Sequence, residues 1–385
     1  MFNKVIIGIL VFLVIVNGGV GAYSYSISQQ IDTLSEQLAS FQEEQETRVA
    51  AVSDEFTALR GETLTRIDKL DSDITMMADE LSQSVINANE VYYIASQATV
   101  KVSDGERTVG SGFIFDAETH VVTAEHVVEH LSEVYVVLPD GRISRATVTG
   151  SCQYSDIAVL TLEDGLDIKP PTLVDSVTVR IGEPVAVVGY PFNLTQTLTS
   201  GIVSQINRSA EIEYDLQTRW IANLIQFDAA VNFGNSGSPL LNSKGEVIGM
   251  VIGRVKPEEG DGIYYAVSSN KVKRVASSLI SQGSFNYPWL GVEVVNLTPE
   301  MVRIRGLETT HGAVTRRVFT GSPAEVAGIR VDDIIVAIDG VTVSDVSELV
   351  SYLGEYKSPD ELVLITLIRD SRTLELSLKV GKRGL

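Results

Sequence analysis

The sequence predicts a mainly β fold that is preceded by a long helix and by an apolar N-terminal segment. Three observations lead to this prediction. The run Val5–Val16 is apolar throughout apart from Gly8, no proline occurs from Ile27 to Ile86, and short β-rich runs separated by turn signals begin at about Val91. Short strands with glycine-rich turns, continued over about 190 residues, are typical of a β-sandwich or of paired β-barrels.

The bulk composition limits the possible partners and cross-links. With 385 residues the chain is long enough for two or three domains. Acidic residues outnumber basic residues by 50 to 30, and the net charge of −20 argues against nucleic acid as a partner, because phosphate binding needs clustered Lys and Arg. The single cysteine, Cys152, excludes an intramolecular disulfide, and we expect it to be a small buried side chain.

The N-terminal apolar run has the features of an export signal or of a membrane anchor. Lys4 precedes it, and counting on to Tyr23 gives 19 residues, which just suffice to span a bilayer. The 12-residue apolar run also suits a signal peptide, with small residues for cleavage at Val20–Ala22. We expect a retained anchor over residues 1–23, with cleavage as the alternative. In both cases the remaining chain lies outside the cytoplasm.

Residues 24–90 carry the pattern of a coiled-coil stalk. Apolar residues recur at steps of three and four, and a step of eight between blocks makes the pattern repeat every 18 residues. Because 18 residues in five turns is 3.6 per turn, this apolar seam should run nearly straight along the helix. We expect self-association to bury the seam, the alternative being that the helix folds back on the globular part. The seam residues are Ile27, Ile31, Leu34, Leu38, Phe41, Val49, Val52, Phe56, Leu59, Ile67, Leu70, Ile74, Met77 and Leu81.

Three segments of the β-rich region each present a residue type that nucleophilic catalysis needs. His126 follows one strand-like run, Asp156 precedes another, and Ser236 lies in the glycine-rich stretch Phe233–Leu240. A serine hydroxyl needs a base to take its proton, and a carboxylate must fix the tautomer of that imidazole. The order His, Asp, Ser is that of the chymotrypsin arrangement. Together the three segments predict a serine protease triad, which needs no cofactor.

A rival motif occupies the same region. The segment His126–His130 fits H-x-x-E-H, an inverted zinc-protease signature in which two histidines share a metal. A third ligand with its own context is missing, since only His120 and His311 remain as other imidazoles. The zinc interpretation also leaves the Asp156 and Ser236 segments unexplained, so we favour the serine mechanism and no metal.

Several short stretches follow one family pattern, namely Gly110–Ile114, Thr123–Val128, Ser155–Leu160, Gly189–Pro191, Asp228–Asn232 and Gly234–Gly237. On these stretches the sequence from about Ser96 to Leu385 resembles the HtrA/Deg family of trypsin-like serine proteases. The resemblance implies a chymotrypsin-like double β-barrel with His126 as base, Asp156 as orienting carboxylate and Ser236 as nucleophile. It also implies that the backbone N–H groups of Gly234 and Ser236 form the oxyanion hole.

Two residues of the serine loop depart from the family pattern. Phe233 stands where proline is usual, and Ser238 stands where glycine is usual. Neither change removes a catalytic side chain, but Ser238 could distort the loop, which keeps a dormant binding or chaperone module as the alternative function.

Substrate preference follows from the segment before the serine, which in this fold helps to floor the P1 pocket. That segment is Ala229, Ala230 and Val231, and it offers no acid to pair with Lys or Arg. We therefore expect cleavage after small or medium apolar residues.

The C-terminal residues resemble a PDZ domain of the protease type. The stretches Gly321–Ile329 and Val331–Gly340 carry this resemblance after the polar break at Ser281–Ser284. It implies that C-terminal peptides add as a strand, with their carboxylate in a backbone nest at Trp289, Leu290, Gly291 and Val292. The alternative is a domain that only packs against the protease or its trimer mates.

The predicted organisation is therefore an anchor (1–23), a stalk (24–90), a protease domain (91–283) and a PDZ domain (284–385). The family resemblance implies an ATP-independent quality-control endopeptidase that degrades unfolded or mislocalised extracytoplasmic proteins. It also implies a homotrimer, and the apolar N-terminal segment predicts that this homotrimer is attached to the membrane.

Overall fold

The computed structural model describes residues 2–84, 86–165, 167–214, 217–254 and 261–383, and the chain forms two compact units, residues 1–79 and 80–385. The first unit consists of most of one long helix, α1 (Phe2–Ser84). This helix confirms the predicted long helical segment. Within this unit the seam residues are exposed, from 38% at Ile27 to 68% at Met77.

The N-terminal part of α1 is apolar enough to cross a membrane. Among the described residues, α1 is the one helix that meets this criterion, and its most apolar 18-residue window has a mean hydropathy of 2.6. By length and composition this helix is compatible with an anchor or with a signal sequence.

The second unit begins with a short helix and a six-stranded barrel. The helix α2 (Ala88–Ser96) buries Val91 and Ala95 in the same apolar cluster as the barrel strands. The strands close antiparallel in the order β1-β2-β3-β6-β5-β4, with a short helix α3 after β3. The elements are β1 (Thr99–Ser103), β2 (Thr108–Ile114), β3 (His120–Thr123), α3 (Glu125–Val128), β4 (Val134–Val137), β5 (Ile143–Cys152) and β6 (Ile157–Leu162).

A second six-stranded barrel follows and closes in the order β10-β11-β12-β9-β8-β7. Its strands are β7 (Pro184–Gly189), β8 (Thr197–Tyr214), β9 (Gln217–Phe227), β10 (Pro239–Leu241), β11 (Val247–Arg254) and β12 (Tyr264–Ser268). Helix α4 (Ser269–Gln282) then begins at Ser268, whose side chain accepts a hydrogen bond from Lys271 N, and ends at Gly283 in a left-handed conformation. The two closed barrels confirm the predicted double β-barrel.

The C-terminal domain is an antiparallel sheet with three helices. The sheet has the order β14-β15-β16-β18-β19, β17 pairs with β16, and β13 pairs with β20. Asp332 has φ +72, a left-handed turn conformation that aspartate tolerates better than most residues. The elements are β13 (Pro288–Trp289), β14 (Val292–Asn296), α5 (Pro299–Arg305), β15 (Ala313–Val318), α6 (Pro323–Ala327), β16 (Ile334–Ile338), β17 (Val341–Thr342), α7 (Val346–Tyr356), β18 (Leu362–Arg369), β19 (Arg372–Lys379) and β20 (Gly381–Lys382).

Helix α7 joins the C-terminal domain to the second barrel. The side-chain amide of Asn223 and the hydroxyl of Ser268 both donate to the carboxylate of Glu355, the second at 3.0 Å. Arg274 of α4 donates to the carbonyl oxygen of Gly354 at 2.9 Å. Burial at this contact raises the pKa of Glu355. The contact is therefore polar, and it contains a partly buried carboxylate.

The single cysteine is part of the apolar core. Cys152 is 6% exposed, and its Sγ lies 3.6 Å from the hydroxyl oxygen of Ser155. Burial raises the pKa of its thiol. The prediction of a small buried side chain is confirmed.

Candidate active site

Asp156 serves both as a helix cap and as the partner of the candidate base. It follows β5 with φ +52, a left-handed conformation that aspartate tolerates better than most residues. Its backbone carbonyl accepts from Glu125 N at 3.2 Å, and its Oδ1 accepts from His126 N at 2.9 Å. The N-cap residue of α3, Ala124, has no side-chain acceptor, so Asp156 satisfies N–H groups that would otherwise lack a partner.

The same carboxylate orients the imidazole of His126. His126 Nδ1 lies 2.8 Å from Asp156 Oδ2, and the side chain of Asp156 is fully buried. An ionised carboxylate only accepts hydrogen bonds, so Nδ1 carries the proton and Nε2 is left with its lone pair. This is the tautomer that a general base needs.

Ser236 lies on a tight loop whose glycines adopt positive φ angles, +98 at Gly234 and +87 at Gly237. The carbonyl oxygen of Phe233 accepts from Phe192 N at 2.9 Å. Because a trans peptide points its C=O and its next N–H in opposite directions, the N–H of Gly234 faces away from that bond. In the described part of the chain, neither Gly234 N nor Ser236 N donates to a backbone carbonyl. Both N–H groups are thus available to an oxyanion.

The side chain of Ser238 fits the loop because its neighbour Gly189 has no side chain. It is fully buried, and its backbone N–H donates to Asn235 O at 2.9 Å. A Cβ built on Gly189 would lie 2.1 Å from Ser238 Oγ and 2.6 Å from Asn235 Oδ1. The extra hydroxyl therefore occupies space left by Gly189. Among the described buried side-chain atoms, Ser238 Oγ and Asn235 Oδ1 are two that have no hydrogen-bond partner.

His126 and Ser236 line one cleft of ≈ 450 Å³. Of the three residues predicted to floor the P1 pocket, Val231 lines this cleft together with Ile252 and Gly253 of β11. Ala229 is buried in the core cluster of the second barrel, and Ala230 O accepts from Thr199 at 2.8 Å. Sequence analysis did not predict the part of the cleft wall that β11 supplies, because that strand has no catalytic motif.

An ion-pair cluster flanks the base. Arg219 donates to Glu125 and, at 2.6 Å, to Glu129, the residues on either side of His126 along α3. Burial raises the pKa of Glu125, and the hydrogen bond from Arg219 partly offsets this effect. Sequence analysis missed Arg219, which lies 94 residues from Glu125.

The candidate zinc motif does not gather a third ligand in this geometry. His126 directs Nδ1 to Asp156, and the side chain of His130 is 67% exposed. Among the described residues, the group of three His, Asp or Glu side chains close enough to share an ion is Asp116, Glu118 and His120. The geometry at His126 therefore favours the serine interpretation.

The predicted carboxylate nest borders a groove of ≈ 260 Å³ in the C-terminal domain. Trp289, Leu290, Gly291 and Val292 line one end of it, and α7 supplies the opposite wall. Gly291 has φ +87, and a Cβ there would lie 2.1 Å from the Cβ of Ser322. The groove lies between β14 and α7, as strand addition of a peptide requires.

Three features define the class of protein, namely the double barrel, the cleft lined by His126 and Ser236 with Asp156 buried against His126, and the grooved C-terminal domain. This class is a trypsin-like serine protease followed by a PDZ domain. The family profile of the trypsin-like peptidase domain matches residues 110–250, and that of the PDZ domain matches residues 288–380. The class of enzyme is thus a serine endopeptidase.

Comparison with known proteins assigns the chain to one family within this class. The chain is 32% identical over 330 residues to the serine protease Do-like HtrA of Bacillus subtilis (strain 168), covering 81% of this chain and 73% of the relative. It is 34% identical over 274 residues to the periplasmic serine endoprotease DegP of Escherichia coli (strain K12), covering 71% of this chain and 56% of DegP. The solved structure of the HtrA-type protease AlgW with a tripeptide has a TM-score of 0.65 at 31% identity, covering 78% of this chain and 98% of AlgW. The chain therefore belongs to the HtrA/Deg family.

Proposed function

We propose that this chain is an ATP-independent extracytoplasmic endopeptidase that degrades unfolded or mislocalised proteins under the control of its PDZ domain. The observation that carries the proposal is the pairing of buried Asp156 with His126 at 2.8 Å, in the cleft that also contains Ser236. The name of the periplasmic relative and the apolar N-terminal helix support an extracytoplasmic site of action.

The proposed reaction is acyl transfer through a covalent intermediate. Ser236 Oγ attacks the peptide carbonyl carbon while its proton moves to His126 Nε2, and the carbonyl electron pair becomes an oxyanion. The N–H groups of Gly234 and Ser236 hydrogen-bond to this oxyanion. The intermediate then collapses, the C–N bond breaks, and the leaving amine takes the proton from His126. Water repeats the sequence on the acyl-enzyme and releases the acid.

The proposed P1 preference is for small or medium apolar side chains. Val231, Ile252 and Gly253 give the cleft an apolar wall next to the serine loop. A wall of this kind offers no carboxylate to a basic P1 side chain. Cleavage-site profiling with a peptide library tests this, and a strict preference for Lys or Arg at P1 would contradict it.

The proposed ligand of the groove between β14 and α7 is a peptide segment with a free C-terminal carboxylate. The positive φ of Gly291 and the groove lined by residues 287–294 support a backbone nest next to a receiving strand. The domain organisation that we propose is an anchor at 1–23, a stalk at 24–90, a protease at 91–283 and a PDZ domain at 284–385.

A homotrimer held to the membrane by its N-terminal segment is the proposed assembly. The exposed straight seam of α1 supports self-association, since an apolar stripe of this length gains free energy when it is buried. Met77 lies on the seam, and Met76 lies about 100° away around the helix. Both side chains are exposed, at 68% and 57%. They form a matched pair for mutation.

We expect Met77→Glu to lower the association constant of the detergent-solubilised full chain, whereas Met76→Glu leaves it unchanged. Sedimentation velocity over a concentration series measures both variants. Equal effects of the two substitutions would show that the seam is not the contact, and a monomeric wild-type chain would remove the assembly from the proposal.

Alkaline extraction of membranes tests the anchor. If residues 1–23 are a retained anchor, the full-length chain stays in the lipid fraction.

A fluorophosphonate probe tests the serine mechanism on the full chain, with and without EDTA and beside Ser236→Ala. We expect labelling that survives EDTA and disappears in Ser236→Ala. Absence of labelling, even after an unfolded protein or a C-terminal peptide is added, would favour the dormant binding module. Protein hydrolysis that EDTA abolishes, in a chain that the probe does not label, would favour the zinc interpretation, because metal-activated water leaves no protein nucleophile for the probe.

A further inference from the structure

Tyr214, at the end of β8, contacts both the candidate base and its carboxylate. Its ring stacks on the imidazole of His126 with centroids 4.2 Å apart and planes inclined by 24°. Its hydroxyl donates to Asp156 Oδ2 at 2.8 Å. Asp156 Oδ2 thus receives two donors, Tyr214 and His126 Nδ1, while Oδ1 receives the backbone N–H of His126.

A cation also lies over the ring of Tyr214. The guanidinium carbon of Arg219 lies 5.4 Å from the ring centroid, within range of a cation–π interaction. Arg219 is itself fixed by Glu125 and Glu129, and its side chain is 9% exposed. Tyr214 therefore contacts both His126 and Arg219, and these contacts restrict the movement of its ring.

The stacked arrangement leaves the reactive edge of the imidazole open. Both ring nitrogens of His126 lie in the plane of the ring, so a partner on the face does not cover Nε2. Nδ1 is already bonded to Asp156. The ring of Tyr214 can therefore shield the His126–Asp156 hydrogen bond from water without covering Nε2.

The charged groups around the hydroxyl keep it a donor. Burial raises the pKa of Tyr214 well above its usual value, and the negative charge of Asp156 raises it further. A neutral phenol at the pH of catalysis donates a hydrogen bond to the carboxylate, which has no proton of its own to donate. A fully buried carboxylate needs such donors, because no water reaches it.

We propose that Tyr214 is a positioning residue of the triad, whose hydroxyl fixes the carboxylate of Asp156 and whose ring holds the imidazole of His126 in its catalytic orientation. The inference rests on the proposed triad of His126, Asp156 and Ser236. It adds a fourth side chain that does not touch the substrate and that acts through Asp156 and His126.

The test compares three side chains at position 214 in the full chain. Tyr214→Phe keeps the ring and removes the hydroxyl. p-Aminophenylalanine at position 214 keeps the ring and restores an N–H donor, and Tyr214→Ala removes both parts. Tyr135→Phe is the control, since its hydroxyl bonds to the exposed Glu133 at 3.2 Å outside the cleft. The readout is hydrolysis of labelled casein, normalised to the active-site concentration from fluorophosphonate titration.

We expect Tyr214→Phe to lower kcat about 10-fold to 100-fold with KM nearly unchanged, the range for one hydrogen bond to a charged group. p-Aminophenylalanine should recover most of the lost kcat, and Tyr214→Ala should lose more than Tyr214→Phe. A structural role alone would not distinguish the two ring-containing variants.

Two results would overturn the inference. One is a wild-type kcat in Tyr214→Phe, and the other is an equal loss with p-aminophenylalanine and with Phe. Should Tyr214→Phe fail to fold, the p-aminophenylalanine variant decides alone, because a ring with a neutral N–H donor should keep most of the wild-type kcat and a loss of about 100-fold would overturn the inference. Retained activity in Ser236→Ala would instead remove the triad itself, whatever Tyr214 does.

Discussion

Ser111 Oγ donates a hydrogen bond to the carbonyl oxygen of Gly234 at 2.7 Å, across 123 residues of sequence. The same oxygen atom of Ser111 accepts from Tyr190 N at 3.0 Å, and the backbone N–H of Ser111 donates to Ser236 O at 2.8 Å. A residue of the first barrel thus holds the serine loop of the second. The geometry of the proposed oxyanion hole therefore depends on how the two barrels are packed.

Ser111→Ala should loosen the serine loop. The change leaves the N–H of Tyr190 and the carbonyl of Gly234 without their side-chain partner in a buried place, which costs about 1–3 kcal/mol of unfolding free energy. We expect kcat to fall about 10-fold, less than the 10²–10³ that loss of a donor to the oxyanion costs elsewhere. Steady-state kinetics and denaturant unfolding measure the two effects.

Ser103→Ala is the matched control for that experiment. Ser103 Oγ likewise donates to one backbone carbonyl, Arg107 O at 2.8 Å, and accepts from one backbone N–H, that of Gly105, at 3.1 Å. We expect a similar loss of stability without the loss of kcat. Equal kinetic defects in both variants would mean that Ser111 acts only through general stability.

Gly189→Ala should conflict with Ser238. The new Cβ would lie 2.1 Å from Ser238 Oγ, so the loop must shift, and overpacking of this kind costs about 1–3 kcal/mol. Ser238→Gly removes the hydroxyl. In a chain that carries this substitution, Gly189→Ala should therefore cost less unfolding free energy. A double-mutant cycle on unfolding free energy measures this coupling, and strict additivity of the two substitutions would contradict the contact.

Glu355 should make the contact between the protease and PDZ domains sensitive to pH. Burial raises the pKa of Glu355 above its usual 4.5, although Ser268, Lys271 and Arg274 oppose the rise. The folded state therefore keeps this proton at pH values where the unfolded chain has lost it. The resulting stability is fully present below pH 4.5 and is lost as the pH rises through the folded-state pKa.

Glu355→Gln isolates this effect, because the amide keeps an acceptor oxygen for Asn223 and Ser268 but does not ionise. We expect the variant to be more stable than the wild type at about pH 7, with the difference shrinking toward about pH 5. Urea unfolding at a series of pH values measures it. Parallel pH profiles in the two proteins would show that Glu355 does not titrate at this contact.

Gly291→Ala should impair the PDZ groove. The alanine would hold φ +87 with its Cβ 2.1 Å from the Cβ of Ser322, so the chain at the nest must move. We expect a C-terminal peptide to bind the full chain at least about 10-fold more weakly. Fluorescence polarisation with a labelled peptide that ends in a free carboxylate measures the affinity.

Gly328→Ala separates backbone strain from damage to the groove. Gly328 has φ +83, but a Cβ there meets no atom within 4 Å. The variant should lose some stability and bind the peptide as the wild type does. Wild-type affinity in Gly291→Ala, or a matching loss in Gly328→Ala, would argue against a nest at residues 289–292.

Most of the fold could be predicted from local features of the sequence. The strand-like runs, the turn signals and the 18-residue repeat of α1 are properties of neighbouring residues, so a β-sandwich or paired barrels and the long helix could be predicted. The resemblance to the HtrA/Deg family selected the double barrel between these two. The candidate triad could be proposed because each member lies in a short motif of its own. The structure brings His126 and Asp156 together from segments 30 residues apart.

The long-range contacts around the candidate triad and helix α7 could not be predicted from local sequence features. Tyr214 meets Asp156 across 58 residues, Arg219 meets Glu125 across 94, and Asn223 meets Glu355 across 132. Each of these residues is ordinary in its local sequence. Only the closure of the barrels and the docking of α7 on β8 and β9 decide which side chains they reach.

The burial of Cys152 has a practical consequence for spectroscopy. Its thiol is shielded and its raised pKa keeps it protonated, whereas maleimide labels react with an exposed thiolate. Cysteines introduced at the exposed Val177 and Val341, which face one cavity between the second barrel and the C-terminal domain, would therefore take up a donor and acceptor dye without removal of the native residue. Energy transfer between them would record the separation of the two domains in single molecules as peptide is added.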